Sequence, residues 1–185
     1  MGDVFEGNLT GCYLYSRHTN PSTSYLGEAL AKLEYTKGAI LSSSGMAAIT
    51  TTILQMCNTN DEIISSRTIY GGTYAFFKNI LPRYGITVKF VDLANINDIN
   101  SNINSKTKLI YCESISNPLL EVADIPSLSK IAKKNTIKLV VDNTFSPMSI
   151  TPINLGADVV IHSLTKFING TSDCVAGSIS SDKNF

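Results

Sequence analysis

The stretch IKLVVDN (137–143) decides the fold class, because it is short, rich in β-branched residues and apolar without alternation. A strand with this pattern is buried on both faces, as in a parallel sheet that is covered by helices. Six comparable runs lie on either side of it along the chain: AILSS (39–43), EIISS (62–66), TVKFVD (87–92), KLIYCES (108–114), DVVIHS (158–163) and CVAGSIS (174–180). The sequence therefore predicts seven strands.

Segments with helical spacing of apolar residues separate most of these strands. The first, SYLGEALAKLEYTKG, places Leu26, Leu30 and Leu33 on one face and is expected to stop at Gly38. Four more segments follow: GMAAITTTILQMC, GGTYAFFKNILPRYG, ANINDINSNI and IPSLSKIAKKN. This alternation predicts one α/β domain, residues 23–185, with a mostly parallel sheet between helices. Residues 1–22 are polar and aperiodic, and we interpret them as an extended N-terminal arm.

Composition excludes several classes of function. The 185 residues are 43% hydrophobic, and 15 basic residues balance 15 acidic ones, which does not favour nucleic acid or an anionic membrane as a partner. No apolar run is long enough to predict a transmembrane helix, and the N-terminus does not resemble a secretory signal. Four cysteines without a CxxC pair and only two histidines argue against zinc. We expect free thiols and a cytoplasmic location.

Ligands of such sheets bind beyond the carboxyl ends of the strands, and two candidate features occur there. SSSGMAAI (42–49) passes from a strand into a helix, so its first N–H groups could bind phosphate, or a serine could simply cap the helix. Asp142 ends its strand and could form a turn, bind a metal or pair with a cationic ring nitrogen. A metal is the least favoured of these options, since no histidine or acidic cluster lies nearby in the sequence.

Three further residues follow strands in the same way. Tyr70 could be a core aromatic or a stacking ring, and Asn117 could be a turn residue before proline. Lys166 could be a solvated charge or an amine nucleophile, with the hydroxyls of Ser163 and Thr165 beside it for a phosphate. A lysine, a phosphate cup, a carboxylate and a stacking ring are together the groups that bind pyridoxal 5'-phosphate.

In this order the motifs resemble the Cys/Met-metabolism family of pyridoxal-phosphate enzymes, whose fold is that of aspartate aminotransferase. The motifs that carry the resemblance extend over nearly the whole chain: YSRHTNP (15–21), SSSGMAAI (42–49), RTIYGGTYAFF (67–77), ESISNPLLEVADI (113–125), VVDNTFSP (140–147) and HSLTKFINGTSD (162–173).

The resemblance implies a catalytic role for Lys166 and Tyr70 and a cofactor-binding role for two more residues, Asp142 and Asn117. Lys166 would form the Schiff base with the cofactor and then move protons between substrate carbons. Asp142 would pair with the pyridinium nitrogen, and Tyr70 would stack on the ring and assist proton transfer or leaving-group chemistry. Asn117 would lie near the 3-oxygen of the cofactor. A metal has no place in this scheme.

The same resemblance implies how the phosphate is held. Gly45, Met46, Ser163 and Thr165 would bind it from within the subunit. Tyr15 and Arg17 form a YxR pattern, which in this family reaches the active site of a neighbouring subunit and holds the phosphate there. The arm therefore predicts self-association, as a homodimer or as a homotetramer made of two dimers.

The implied activity is carbon–sulfur lyase chemistry on methionine-like or cystathionine-like substrates, by α,γ- or α,β-elimination. The alternative enzyme is a γ-replacement enzyme, either a cystathionine γ-synthase or an O-acetylhomoserine sulfhydrylase. Gly72 occupies a position where methionine γ-lyases typically have cysteine, and FINGTSD departs from the usual ending of the lysine loop. Relatives also carry a C-terminal domain with an arginine for the substrate carboxylate, which this chain is expected to lack. A third alternative is therefore a truncated, catalytically silent cofactor-binding chain.

Overall fold

The computed structural model describes residues 12–13, 15–17 and 20–182 of the chain. Seven strands form one sheet in the order β1-β7-β6-β5-β4-β2-β3. Their bounds are β1 Gly38–Ser42, β2 Glu62–Ser66, β3 Thr87–Val91, β4 Thr107–Glu113, β5 Lys138–Asp142, β6 Val159–Ser163 and β7 Gly177–Ser181.

The sheet is mixed and mostly parallel. Strands β2 to β6 pair in parallel, whereas β7 pairs antiparallel with both of its neighbours, β1 and β6. Strand β1 therefore has the same direction as β6, and the carboxyl ends of six strands meet at one edge. The predicted fold class is confirmed.

Helices cover both faces of the sheet. Their bounds are α1 Pro21–Leu33, α2 Gly45–Met56, α3 Gly71–Ala75, α4 Ile96–Asn102 and α5 Ile125–Lys134. Short helical turns of other types are a π-helix at Phe76–Ile80 and 3-10 helices at Leu81–Tyr84 and Pro152–Leu155. Within residues 20–182, none of the helices combines the length and the apolar character needed to cross a bilayer.

Two helix predictions differ from the structure. Helix α1 begins at Pro21, inside the predicted arm, because Asn20 caps it and proline suits the first helical position. It also ends at Leu33 rather than at Gly38, which instead begins β1. The segment from Gly71 to Gly85 is not one α-helix, since Pro82 lacks an N–H group and cannot continue the α-helical hydrogen bonds.

The core consists of two apolar layers, one on each face of the sheet. Val140 of β5 packs in the layer with α2, and its neighbour Val141 packs in the layer with α5. Successive side chains of a strand point to opposite faces, so a continuous apolar run is what burial on both faces requires. Each such side chain stabilises the fold by roughly 1.5–3 kcal/mol. The two layers hold β4, β5 and β6 rigidly, and these strands position the residues at their carboxyl ends.

Candidate active site

A cavity of about 380 Å³ opens at the carboxyl ends of β4, β5 and β6, next to the first turn of α2. Its wall contains all eight residues that the sequence places at a cofactor site within one subunit: Gly45, Met46, Tyr70, Asn117, Asp142, Ser163, Thr165 and Lys166. Residues far apart in the sequence thus meet because parallel strands end at the same edge of the sheet.

The first turn of α2 supplies one wall of the cavity. Ser44 is the N-cap, and its Oγ accepts a hydrogen bond from the N–H of Ala47 at 3.0 Å. The first N–H groups of a helix, here at Gly45 and Met46, have no intrahelical acceptor. The serine cap and the candidate phosphate site are therefore compatible, because the cap leaves these two donors and the helix dipole facing the cavity.

Glycine at position 45 allows α2 to approach β6 closely. A Cβ atom on Gly45 would lie 2.5 Å from Cβ of Ser163 and 3.0 Å from its Cα. Ser163 itself is held by Thr144, whose Oγ1 accepts the Ser163 N–H at 2.7 Å. The end of β6 and the start of α2 consequently form a single compact wall.

Thr165 and Lys166 follow β6 in a tight turn. The Lys166 N–H donates to the Ser163 carbonyl at 3.2 Å, and the Lys166 residue is exposed at the rim of the cavity. The Thr165 hydroxyl donates to the carbonyl of Ala176 at 3.2 Å and accepts the Ala176 N–H at 3.1 Å. Thr165 thus anchors the lysine loop to the chain before β7, a bond that sequence reasoning did not anticipate.

Asp142 lies at the base of the cavity and is only 8% exposed. One carboxylate oxygen accepts the N–H of Thr144 at 3.0 Å, and the other accepts the hydroxyl of Tyr111 at 3.3 Å. Burial raises the pKa of Asp142, although the bonds from Thr144, the charge of His162 and the Tyr111 bond oppose that rise. A cationic group in the cavity would favour the ionised form.

Tyr70 and Asn117 form the opposite wall, and both are exposed. The Tyr70 ring, 49% exposed, lies over Gly72, where a Cβ atom would come within 2.6 Å of the ring carbon Cε1. Both residues donate their backbone N–H groups to Glu113, at 2.7 Å from Tyr70 and 3.0 Å from Asn117. A buried carboxylate therefore joins two loops that carry predicted site residues.

Tyr15 and Arg17 lie outside this cavity. Both are exposed, and the guanidinium carbon of Arg17 lies 5.3 Å from the centroid of the Tyr15 ring. Residues 1–11, 14 and 18–19 of the predicted arm lie outside the described residues. The role of this pair at a neighbouring subunit stays a prediction.

The family model described as "Cys/Met metabolism PLP-dependent enzyme" matches residues 1–185. The chain belongs to this family. Its members are pyridoxal-phosphate enzymes, so the recognised resemblance and the predicted cofactor class are both confirmed.

Two curated relatives in this family illustrate its range. The chain is 44% identical to methionine gamma-lyase of Arabidopsis thaliana, covering all of this chain and 43% of that protein. It is 41% identical to a probable cystathionine gamma-synthase of Herpetosiphon aurantiacus, covering 94% of this chain and 54% of that one. The chain therefore spans about half the length of these relatives or somewhat less.

Solved structures agree with the fold. A putative O-acetylhomoserine (thiol)-lyase of Campylobacter jejuni, solved with N'-pyridoxyl-lysine-5'-monophosphate, has a TM-score of 0.89 and 34% identity, covering 92% of this chain and 42% of that one. Cystathionine gamma-lyase of Lactobacillus plantarum, solved with L-serine, has a TM-score of 0.90 and 32% identity, covering 93% and 45%.

The residues at the cavity of this family member fit a pyridoxal phosphate. One wall contains the first N–H groups of α2 and the hydroxyl of Ser163, which are hydrogen-bond donors that suit a phosphate. The base holds a buried carboxylate, Asp142, whose ionised form needs a positive neighbour. The rim holds the amine of Lys166. Among the described residues, no group of three or more histidine, cysteine or acidic side chains is arranged to hold a metal ion.

Sequence reasoning assigned no role at the site to several residues that line the cavity, among them Glu113, Thr144, Phe145 and Phe167. Phe145 and Phe167 pack edge to face with centroids 5.4 Å apart and provide an apolar rim beside the lysine. The signal for Glu113 and Thr144 was available, because Glu113 ends β4 and Thr144 follows β5 closely. The rule that strand ends meet at the site applies to them as well as to Asp142.

Proposed function

We propose that this chain forms the cofactor-holding part of a pyridoxal-phosphate carbon–sulfur lyase. The substrates are methionine-like or cystathionine-like amino acids, and the reaction is α,γ- or α,β-elimination. The observation that carries the proposal is the meeting of Lys166, Asp142 and the first turn of α2 around one cavity. An amine, a buried carboxylate and a phosphate-binding helix start are the three groups that this cofactor requires.

Each group has a separate task in the proposed mechanism. When bound, the cofactor supplies an electron sink for a negative charge that develops on the substrate α-carbon. The amine of Lys166 would hold the aldehyde carbon covalently, with loss of water, and once the substrate amino group has displaced it would accept and return the proton at the α-carbon. Asp142 stabilises a positive charge on the ring nitrogen, and its burial strengthens that attraction. The phosphate would be held by the N–H groups of Gly45 and Met46 and by the hydroxyls of Ser163 and Thr165. Thr165 would then give up the hydrogen bond that its hydroxyl donates to the Ala176 carbonyl.

Tyr70 and Asn117 complete the proposed site from the other wall. The half-exposed ring of Tyr70 would stack on the cofactor, and its hydroxyl would move a proton to or from the leaving group. The Asn117 side-chain amide, which also lines the cavity, would donate a hydrogen bond to the 3-oxygen of the cofactor.

We also propose that residues 1–22 act between subunits, with Tyr15 and Arg17 binding the phosphate held by a neighbouring copy in a homodimer or homotetramer. Residues 23–185 form the cofactor-binding domain. A cytoplasmic location is supported by the four free thiols, at Cys12, Cys57, Cys112 and Cys174.

A γ-replacement activity is the second candidate. It is favoured by the 41% identity to a probable cystathionine gamma-synthase and by the TM-score of 0.89 to a putative O-acetylhomoserine (thiol)-lyase. Elimination releases 2-oxobutanoate, ammonia and methanethiol from methionine, whereas replacement forms a new carbon–sulfur bond on an activated homoserine and releases its acyl group as the acid. A chain that binds the cofactor and yields neither product is the third candidate, a catalytically silent one.

The decisive test is covalent trapping. The purified protein is incubated with pyridoxal phosphate and reduced with borohydride, and the modified peptide is identified by mass spectrometry. We expect a yellow protein with a single pyridoxyl group on Lys166. The Lys166→Ala variant loses the adduct, and Lys134→Ala, which removes an exposed lysine of α5, retains it. A colourless wild-type protein in excess cofactor would contradict the proposal. If the protein is yellow, analysis of the products distinguishes elimination, replacement and a catalytically silent chain.

A further inference from the structure

Glu113, the last residue of β4, is the acceptor on which the second wall of the cavity depends. It is only 8% exposed, and its Oε1 accepts the Tyr70 N–H at 2.7 Å. Its Oε2 accepts the Asn117 N–H at 3.0 Å. One carboxylate thus engages one backbone donor with each of its two oxygens.

The two donors belong to separate segments. Tyr70 precedes α3 and follows the loop from β2, whereas Asn117 lies in the loop after β4. The N-terminus of α3 has no side-chain cap from Tyr70 itself. Hydrogen bonds to a charged acceptor are about twice as strong as neutral ones, and a backbone N–H left without an acceptor in a buried place is costly. The Glu113 carboxylate therefore fixes both loops relative to the rigid strand β4.

We propose that Glu113 is a positioning residue, which holds the Tyr70 ring and the Asn117 side chain at the cavity and thereby determines how tightly the chain binds pyridoxal phosphate. This inference rests on the proposed function for its link to the cofactor. The two hydrogen bonds themselves do not depend on it.

A carboxylate is the side chain that suits this place. Glutamine has the same length but only one acceptor, so its amide nitrogen would face one of the two N–H groups. Burial is the main cause that raises the pKa of Glu113 to about 7, the nearby charge of Asp142 adds to it, and the two N–H bonds oppose it. Experiments at pH 8 therefore examine mainly the charged form.

The test compares Glu113→Gln with the wild-type chain by hydrogen exchange of individual amides at pH 8. We expect the Tyr70 or the Asn117 amide, or both, to exchange at least tenfold faster in the variant, while amides of β4 and β5 keep their rates. Glu121→Gln is the matched control, because Glu121 lies in the same region but accepts from the side-chain hydroxyl of Thr68, at 2.6 Å. It is expected to leave both amides unchanged.

The second readout is an equilibrium titration with pyridoxal phosphate, followed by its absorbance. Glu113→Gln is expected to bind about tenfold more weakly than wild type, and Glu121→Gln to bind as wild type does. If Glu113→Gln does not fold, Glu113→Asp replaces it, since the shorter carboxylate keeps its charge but cannot reach both loops.

Three outcomes are distinguishable. Unchanged exchange at both amides overturns the positioning role, whatever the cofactor does. Faster exchange with unchanged cofactor affinity overturns the link to binding. A wild-type chain that never binds the cofactor refutes the proposed function, and the exchange of the Tyr70 and Asn117 amides still decides whether Glu113 holds the two loops.

Discussion

The two walls of the cavity are built in different ways. The wall formed by α2 and the end of β6 depends on backbone contact: Gly45 lies directly against Ser163, and Thr165 is bound to Ala176. The opposite wall consists of exposed loop residues, Tyr70 and Asn117, that one buried carboxylate holds in place. The first wall resists displacement through packing, whereas the second depends on hydrogen bonds to Glu113 and on its charge.

Asp142 lies between the two walls, and its replacement is expected to have the largest effect. Asp142→Asn removes the charge while keeping the shape, so the cofactor loses its buried ionic partner. Loss of one member of a buried charge pair costs about 3 kcal/mol, or at least a hundredfold in affinity for pyridoxal phosphate. Absorbance titration measures this loss.

The same substitution, Asp142→Asn, is not expected to lower the stability of the cofactor-free chain. Burial raises the pKa of Asp142, which means that its charge costs stability when no cation is present. Urea unfolding of Asp142→Asn without cofactor should therefore give a free energy equal to or above that of wild type. Asp158→Asn is the control at the opposite edge of the sheet, where Asp158 pairs with Lys138 at 2.8 Å. A loss of affinity in the control as large as in Asp142→Asn would refute the charge argument.

The second wall is expected to respond to pH through Glu113. The pKa of this group is about 7 in the folded chain, against an ordinary value of 4.5. A raised carboxyl pKa means that the folded state binds the proton more tightly, so this contribution to stability is complete below pH 4.5 and is lost as the pH rises through 7. The difference between the two values corresponds to about 3 kcal/mol.

The contribution of Glu113 must be measured against a reference variant, because the pKa of Asp142 is also raised and changes stability with pH in the same direction. The free energy of unfolding of wild type minus that of Glu113→Gln should fall by about 3 kcal/mol between pH 4.5 and pH 8. A difference that stays constant over this range would show that the carboxyl is not perturbed. If the difference falls as expected, the ionised Glu113 carboxylate, which accepts both N–H groups, lowers the free energy of unfolding.

The first wall is expected to be sensitive to added side-chain volume rather than to pH. Gly45→Ala places a Cβ atom 2.5 Å from Cβ of Ser163 and 3.0 Å from its Cα, and rotation of a side chain cannot relieve the backbone contact. Overpacking of this kind costs about 2 kcal/mol, and the displaced helix start should also weaken cofactor binding several-fold. Gly71→Ala is the control, because a Cβ atom there meets no other atom within 4 Å. Equal stability of the two variants in urea would contradict the close approach.

The same contrast explains what the sequence could reveal. The strands and the residues at their ends were predictable, because apolar runs such as IKLVVDN report burial directly and the topology of parallel strands places their ends together. The contact between Gly45 and Ser163 joins positions far apart in the chain, and no local pattern encodes it. Glu113 lies within one of the family motifs, but the sequence does not reveal its role, because that role depends on two backbone donors whose positions only the fold determines. The break of the third helical segment did have a local cause, Pro82.

The smallest expected effect concerns Gly72, next to the Tyr70 ring. Gly72→Ala places a Cβ atom 2.6 Å from ring carbon Cε1, but the ring is half exposed and can rotate away. Stability should therefore change by less than about 1 kcal/mol, because the added helix propensity of alanine offsets part of the contact. The displaced ring should still alter the absorbance spectrum of bound pyridoxal phosphate, whereas Gly71→Ala should leave it as in wild type. An unaltered spectrum in Gly72→Ala would mean that Tyr70 does not stack on the cofactor, and that the second wall acts through Asn117 alone.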